Sequence, residues 1–312
     1  MTNQHKLCPN CETEVPESDY NFCNNCGQEN RDIKLPVRYF VTDFFESLTN
    51  LDTKTFHSLR DLLWSPGLLT KNFNANKRAR YVPPFRLYLL TSALFFLLLT
   101  FVFKKTVVEN EANFRNTMIK ETGAGQISMF TLTRFSGEQF KQLLAIEEVS
   151  VAKIDSFCQT SNIKTDFINS RILKGMLDFR TGRLQASQIE EMLFENLSYS
   201  LFLCMPIFAF LLYLFNDRNK YFFSEHFVFA LHFHTYIFII LGISSLIAKS
   251  FFTIPSSLTM VFCYGIFTKS MYTVYQETWR KTIVKTLGIL LFYLICLAFA
   301  FLTSFVWIFF KY

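Results

Sequence analysis

Five long runs without Asp, Glu, Lys or Arg divide the chain. They lie between Arg86 and Lys104, Glu195 and Asp217, His226 and Lys249, Lys249 and Lys269, and Lys285 and Lys311, and hold 17, 21, 22, 19 and 25 residues. A helix needs about 20 apolar residues to cross a hydrocarbon core of about 30 Å. The spacing therefore predicts transmembrane helices over 87–103, 196–216, 227–248, 250–272 and 286–310. The first is short, but Val82 to Phe85 and the snorkelling stem of Arg86 extend it. Buried helices of a water-soluble core are the alternative, and five such runs in one chain argue against it. The expected fold class is a mainly α polytopic membrane protein. The 39 Phe and 13 Tyr fit that class.

Charge sets the expected orientation. Residues 71–86, KNFNANKRARYVPPFR, carry five Lys/Arg and no Asp or Glu. Basic flanks stay cytoplasmic, which places the N-terminus inside and, after five spans, the C-terminus outside. Arg218, Lys220, Arg280, Lys281 and Lys285 fall in predicted inner loops and agree; Lys104 and Lys105 open a long outer segment, where the rule is weak. Residues 1–30 contain no apolar signal-peptide core, so the first span is expected to direct insertion. The expected location is a membrane, crossed several times, with a cytoplasmic N-terminus.

The most specific motif is N-terminal. Cys8-Pro9-Asn10-Cys11 and Cys23-Asn24-Asn25-Cys26 form two C-x2-C pairs separated by eleven residues, with Gly27 after the second. Each pair brings two thiolates round a tight turn, and two turns supply the four sulfurs of a closed tetrahedral zinc site. Residues 1–30 are thus expected to be a cytoplasmic zinc ribbon with structural Zn held by Cys8, Cys11, Cys23 and Cys26. A cytoplasmic setting disfavours disulfides, and a redox motif expects a single C-x-x-C beside a βαβ pattern. Between Cys8 and Asn30 stand five acidic residues and no Lys or Arg. Such a surface repels phosphate, so no nucleic-acid partner is expected. A protein partner is expected instead, or docking on a basic surface, the nearest being residues 71–86 of the same chain.

Residues 31–86 join ribbon to membrane. Val37, Phe40, Val41, Phe44, Phe45, Leu48 and Leu51 share one face of a predicted amphipathic helix over 36–51. A second helix is expected from Asp52 or Thr53, with Phe56, Leu59 and Leu63 on one side, ending at Ser65-Pro66-Gly67. Packing is favoured over lying in the membrane interface, because the first helix's polar face is not rich in Lys or Arg. Lone His57 reads as a surface or capping residue. Lys71, Lys77, Arg78, Arg80 and Arg86 are the candidate contacts for anionic lipid, at about 1 kcal/mol per basic residue near the surface. Residues 104–195 form an extracytoplasmic insert with twelve basic and twelve acidic residues; its one cysteine, Cys158, implies no disulfide.

These pieces resemble a bacterial family of unknown function, number 3667, in which a cysteine ribbon precedes a multi-span membrane domain. The matching segments are CPNC, FCNNCGQ, TFHSLRDLLWSPG, NKRARYVPPFRLYLL, LFLCMPIFAFLLYL and EHFVFALHFH. The resemblance implies an architecture and a location in a bacterial inner membrane, and carries no activity. The layout is also similar to that of Yip1-type membrane proteins.

Three of the five histidines stand in EHFVFALHFH, residues 225–234. At 100° per residue, Glu225, His232 and Tyr236 share a face, His234 points away from them, and His226 sits at the helix entrance. These five are the candidate intramembrane polar site. Five histidines in all are too few for the ligand boxes of membrane di-metal oxygenases. Three roles remain: interhelical hydrogen bonding, a polar cavity, or acid–base chemistry on a lipid headgroup. The matching functions, in order, are a scaffold or sensor built on a zinc ribbon, a transporter or lipid-handling protein, and a membrane enzyme.

Overall fold

The structure is a computed structural model describing residues 7–14, 22–28, 53–121, 139, 142–143, 150–163, 167–180, 184–250 and 255–311. The amphipathic helix expected over 36–51 lies outside the described residues. Nine helices are described: α1 (Thr53–Trp64), α2 (Leu68–Asn74), α3 (Pro84–Glu121), α4 (Val151–Thr160), α5 (Phe167–Arg180), α6 (Ala186–Phe215), α7 (Phe223–Ser250), α8 (Ser256–Tyr275) and α9 (Trp279–Lys311). No strand occurs among the described residues; Leu7 and Glu14 make an isolated bridge. The chain is mainly helical, as its apolar runs demand.

Three helical segments are long and apolar enough to cross a membrane: Pro84–Val102 of α3, Phe223–Ala248 of α7 and Trp279–Ile308 of α9. The other two expected spans fall on α6, whose apolar part is Tyr199–Phe215, and on α8. Leu90, Leu94 and Leu97 form an exposed stripe at i, i+4, i+7 on α3, and Leu287, Leu291 and Leu294 repeat it on α9. Bare leucine stripes of this kind suit contact with hydrocarbon.

The chain divides into two compact units. One comprises residues 1–99 and 202–296, the other 100–201 and 297–312. In the first, α1 and α2 make a hairpin closed by the Ser65–Gly67 turn, and α2 packs on both α7 and α8. Gly67 is required there twice. Its φ is +86°, a left-handed conformation, and a Cβ would stand 2.7 Å from the Ser270 carbonyl oxygen and 2.9 Å from Thr273 Cβ on α8. Leu62, Leu69, Tyr81, Val82, Leu87 and Tyr236 form the core, with Leu59 and Leu63 packed against it. Phe56, expected on the same side as Leu59 and Leu63, is instead 71% exposed.

Polar contacts pin the segment after α2 onto the hairpin. Ser58 Oγ accepts from the Val82 N–H at 2.9 Å and donates to the Lys54 carbonyl at 2.8 Å. Tyr81 donates to Asp61 Oδ2 and accepts from Asn72 Nδ2, each at 2.8 Å. Burial, helped by the Asp61 carboxylate, raises the Tyr81 phenol above its ordinary pKa. Between α8 and α9, Glu277 accepts from Lys281 at 2.8 Å and Lys285 at 2.7 Å, and Lys285 also donates to Asn216 Oδ1 at 3.2 Å.

In the second unit, α4 and α5 pack as a pair around Ile154, Cys158, Leu173 and Leu177. Ser150 caps α4 by accepting from the Lys153 N–H at 3.2 Å, and Ser170 donates to Asp155 between the helices. Cys158 is fully buried in that core. Arg171 lies between the Phe167 and Phe310 rings and donates to the Phe310 carbonyl at 3.3 Å, tying α5 to the end of α9.

Candidate metal centre and buried histidines

Two turns of near-identical construction build the cysteine cluster. In the first, the Cys8 N–H donates to Thr13 O at 2.9 Å and the Glu12 N–H to Cys8 O at 2.8 Å. In the second, the Cys23 N–H donates to Gln28 O at 2.7 Å and the Gly27 N–H to Cys23 O at 2.8 Å. The position after each second cysteine is left-handed, with φ +60° at Glu12 and +70° at Gly27. Glycine is at ease there; the first turn holds a glutamate in the same conformation against its steric preference.

The turns bring all four sulfurs within 4.8 Å of one another. Cys8 and Cys26 Sγ are 3.6 Å apart, as are Cys11 and Cys23 Sγ. Sulfurs at about 2.3 Å from a tetrahedral ion stand about 3.8 Å apart, whereas a disulfide needs about 2.05 Å. The four residues therefore fit a metal ion with sulfur ligands. Burial pushes the Cys8 thiol up to about 12, while the Thr13 hydroxyl and backbone pull Cys11 down to about 6. A cation at the centre favours the thiolate at all four positions.

Thr13 and Gln28 each stand five residues after the first cysteine of their turn, and they differ in what they hold. Thr13 Oγ1 accepts from Asn25 Nδ2 at 3.0 Å and from Cys11 Sγ at 3.3 Å, joining the two turns. Gln28 reaches outward to the segment after α2. Its Nε2 donates to Asn76 O at 2.6 Å, and its Oε1 accepts from the Arg78 and Ala79 N–H groups at 3.0 and 3.1 Å. The second cysteine turn thus meets main-chain groups of residues 76–79 through an uncharged carboxamide.

Of the basic residues over 71–86, Lys71 and Arg80 are exposed, and Lys77, Arg78 and Arg86 are half-buried. The Arg78 guanidinium lies 5.0 Å over the Phe73 ring.

The three histidines of α7 are all buried. His232 Nδ1 meets Thr70 Oγ1 of α2 at 3.0 Å, with the Phe73 ring edge-on at 6.2 Å between centroids. His226 Nδ1 meets the Tyr275 hydroxyl of α8 at 2.6 Å, and the two rings stack. His234 has both ring nitrogens engaged. Its Nδ1 donates to Ala230 O at 2.8 Å, which leaves Nε2 to accept from the Tyr293 hydroxyl of α9 at 2.7 Å. His232 and His234 thus face different helices. His234, expected to point away from Glu225 and Tyr236, meets α9. Tyr236 joins the core over α1 and α2. Glu225 sits at the start of α7, where its Oε2 accepts from the Phe222 N–H at 2.7 Å. That is the reach-back of a capping box, and it satisfies one otherwise orphaned donor.

The hairpin that supplies Thr70, Ser58 and Asp61 is also the segment with a recognisable relationship. Residues 52–96 match the family described as Protein of unknown function (DUF3667). The match bears out the family resemblance over that hairpin and the start of α3. No curated protein and no solved structure matches the chain.

The sequence reading missed Gln28, Thr70, Tyr275 and Tyr293 as site residues. Gln28 had a signal, because it occupies the last position of the second cysteine turn. The hydroxyls on α2, α8 and α9 had none, since periodicity assigns a face but not the neighbour it meets.

Proposed function

We propose that the chain is a scaffold in a bacterial inner membrane, built on five spanning helices, with the N-terminus inside and the C-terminus outside. Its cytoplasmic cysteine ribbon holds one structural zinc through Cys8, Cys11, Cys23 and Cys26. Closed four-sulfur sites serve folding rather than catalysis, because they leave no open position for a substrate. A small turn pair without a core draws most of its folding energy from the metal.

The observation that carries the scaffold role is that each histidine of α7 is joined to a hydroxyl on a different helix: Thr70 on α2, Tyr275 on α8 and Tyr293 on α9. The rings act as links in a packed assembly. A second reading, transport or lipid handling, is favoured by one detail. His226 Nε2 and His232 Nε2 are buried with no hydrogen-bond partner among the described residues, which is where water or a polar substrate would bind.

Diethyl pyrocarbonate, which acylates accessible neutral imidazoles, separates the two. In lipid nanodiscs the folded protein should leave His226, His232 and His234 unmodified by mass spectrometry. Rapid labelling of His232 without loss of fold would reject the scaffold in favour of a water-filled site.

A further inference from the structure

Gln28 is the only residue of the ribbon, among those described, that bonds to the chain beyond the ribbon, and its backbone belongs to the second cysteine turn. Its carbonyl accepts from the Cys23 N–H at 2.7 Å, so the base of the side chain is fixed by the fold of the Cys23–Cys26 turn. Its carboxamide then uses one donor and both acceptor lone pairs on main-chain groups of residues 76–79. This is a backbone-to-amide clamp, and it reads shape rather than side-chain identity. Gln28 is 7% exposed, so the three bonds are formed out of bulk water.

The receiving segment is shaped for it. Asn76 has φ +64°, which turns the chain after α2, while the Lys77 N–H donates to Asn72 O at 3.0 Å and the Tyr81 N–H to Arg78 O at 3.1 Å. These bonds leave Asn76 O and the Arg78 and Ala79 N–H groups for the carboxamide. Charge is complementary as well: the ribbon offers Glu12 and Glu14, and the segment Lys71, Lys77, Arg78 and Arg80. From there the contacts continue inward, through Arg78 over Phe73 and Phe73 against His232.

We infer that the second cysteine turn is a metal-dependent docking surface whose partner is residues 76–79 of the same chain. This rests on the metal reading of the four cysteines. With metal, the turn is folded and Gln28 is held in place for all three bonds. Without it, the turn loses the interaction that folds it, Gln28 is no longer positioned, and the basic segment loses its cover. The second cysteine turn then reports metal availability to the segment that follows the α1–α2 hairpin.

Hydrogen–deuterium exchange on the full chain in nanodiscs tests this, with zinc per chain measured on the same samples. Gln28→Ala should keep one zinc and yet speed exchange at Arg78 and Ala79 at least about tenfold, with α7 unchanged. Stripping zinc from the unsubstituted protein with a chelator should give the same acceleration. Stripping it from Gln28→Ala should add nothing at those two amides. If zinc is lost on chelation while Arg78 and Ala79 keep their protection, docking is independent of metal and the inference is overturned. If Gln28→Ala keeps zinc and full protection, the carboxamide is not the clamp. If no metal binds under any condition, the metal reading fails first and the inference falls with it.

Discussion

Thr70 and His232 stand 162 positions apart in sequence and 3.0 Å apart in space, hydroxyl to imidazole. The contact fastens the α1–α2 hairpin to the middle of a helix long enough to span a membrane. Hydrogen bonds of this kind within membranes average about 0.6 kcal/mol, with an upper end near about 1.7 kcal/mol. A double-mutant cycle of Thr70→Val and His232→Phe should return a coupling energy in that range. Independent effects of the two substitutions would show that the contact contributes nothing.

His234 should be the more sensitive ring. Helical-face reasoning from sequence ranks His232 first, because it shares a side with Glu225 and Tyr236. The observed bonds rank them the other way: His234 is bonded at both nitrogens, and replacing it leaves the buried Tyr293 hydroxyl without its acceptor. His234→Phe should therefore lower the thermal midpoint more than His232→Phe, and Tyr293→Phe should reproduce part of the loss. Equal shifts would count against this ranking.

Gly67→Ala should be among the most damaging single-atom changes in the hairpin. The new Cβ would meet Ser270 O at 2.7 Å and must also hold a left-handed φ. Together these cost about 2–4 kcal/mol. Gly27→Ala provides the contrast: its φ is also left-handed, but a Cβ there meets nothing within 4 Å. It should cost only the backbone term, about 1 kcal/mol. The reciprocal change Glu12→Gly should stabilise the first turn by about 0.5–1 kcal/mol. Thermal unfolding would show the Gly67→Ala loss as a lower midpoint, and competition against a calibrated zinc chelator would show Gly27→Ala and Glu12→Gly as shifts in metal affinity.

Glu277 gives a pH signature. Burial alone would raise its pKa, but hydrogen bonds from Lys281 and Lys285 outweigh that and hold the carboxyl below the usual carboxylate range. A depressed folded pKa contributes stability that is present above the unfolded value, about 4.3, and is lost as pH falls through the folded one. Glu277→Gln should lower the midpoint at neutral pH, and its difference from the parent should close below about pH 4. A gap that stays constant into acid would mean the carboxylate charge is not what stabilises this corner.

The parts legible in sequence were those set by local spacing. The C-x2-C pairs specify two turns, so the four sulfurs could be named before their distances were known. The α1 stop at Ser65-Pro66-Gly67 was equally local. Phe56 shares the face of Leu59 and Leu63 but stands a turn nearer the start of α1, where it is exposed; periodicity assigns the face and not how far along it the packing reaches. Glu225 was grouped with His232 by angle alone, whereas helix ends obey a nearer demand, the unsatisfied Phe222 N–H. The partners of the histidines were out of reach for a different reason. Thr70, Tyr275 and Tyr293 come from helices that meet α7 only through tertiary packing, and no periodicity in one helix encodes which neighbour lies across from it.

Cobalt substitution of the full-length protein tests the central claim most directly. Cobalt(II) bound by four thiolates in a tetrahedron gives intense visible absorption and a strong sulfur-to-metal charge-transfer band. The four-sulfur centre predicts both bands at one cobalt per chain, their loss on adding one equivalent of zinc, and their absence in Cys26→Ser. A pale, octahedral cobalt spectrum, or full-intensity bands surviving in Cys26→Ser, would contradict it.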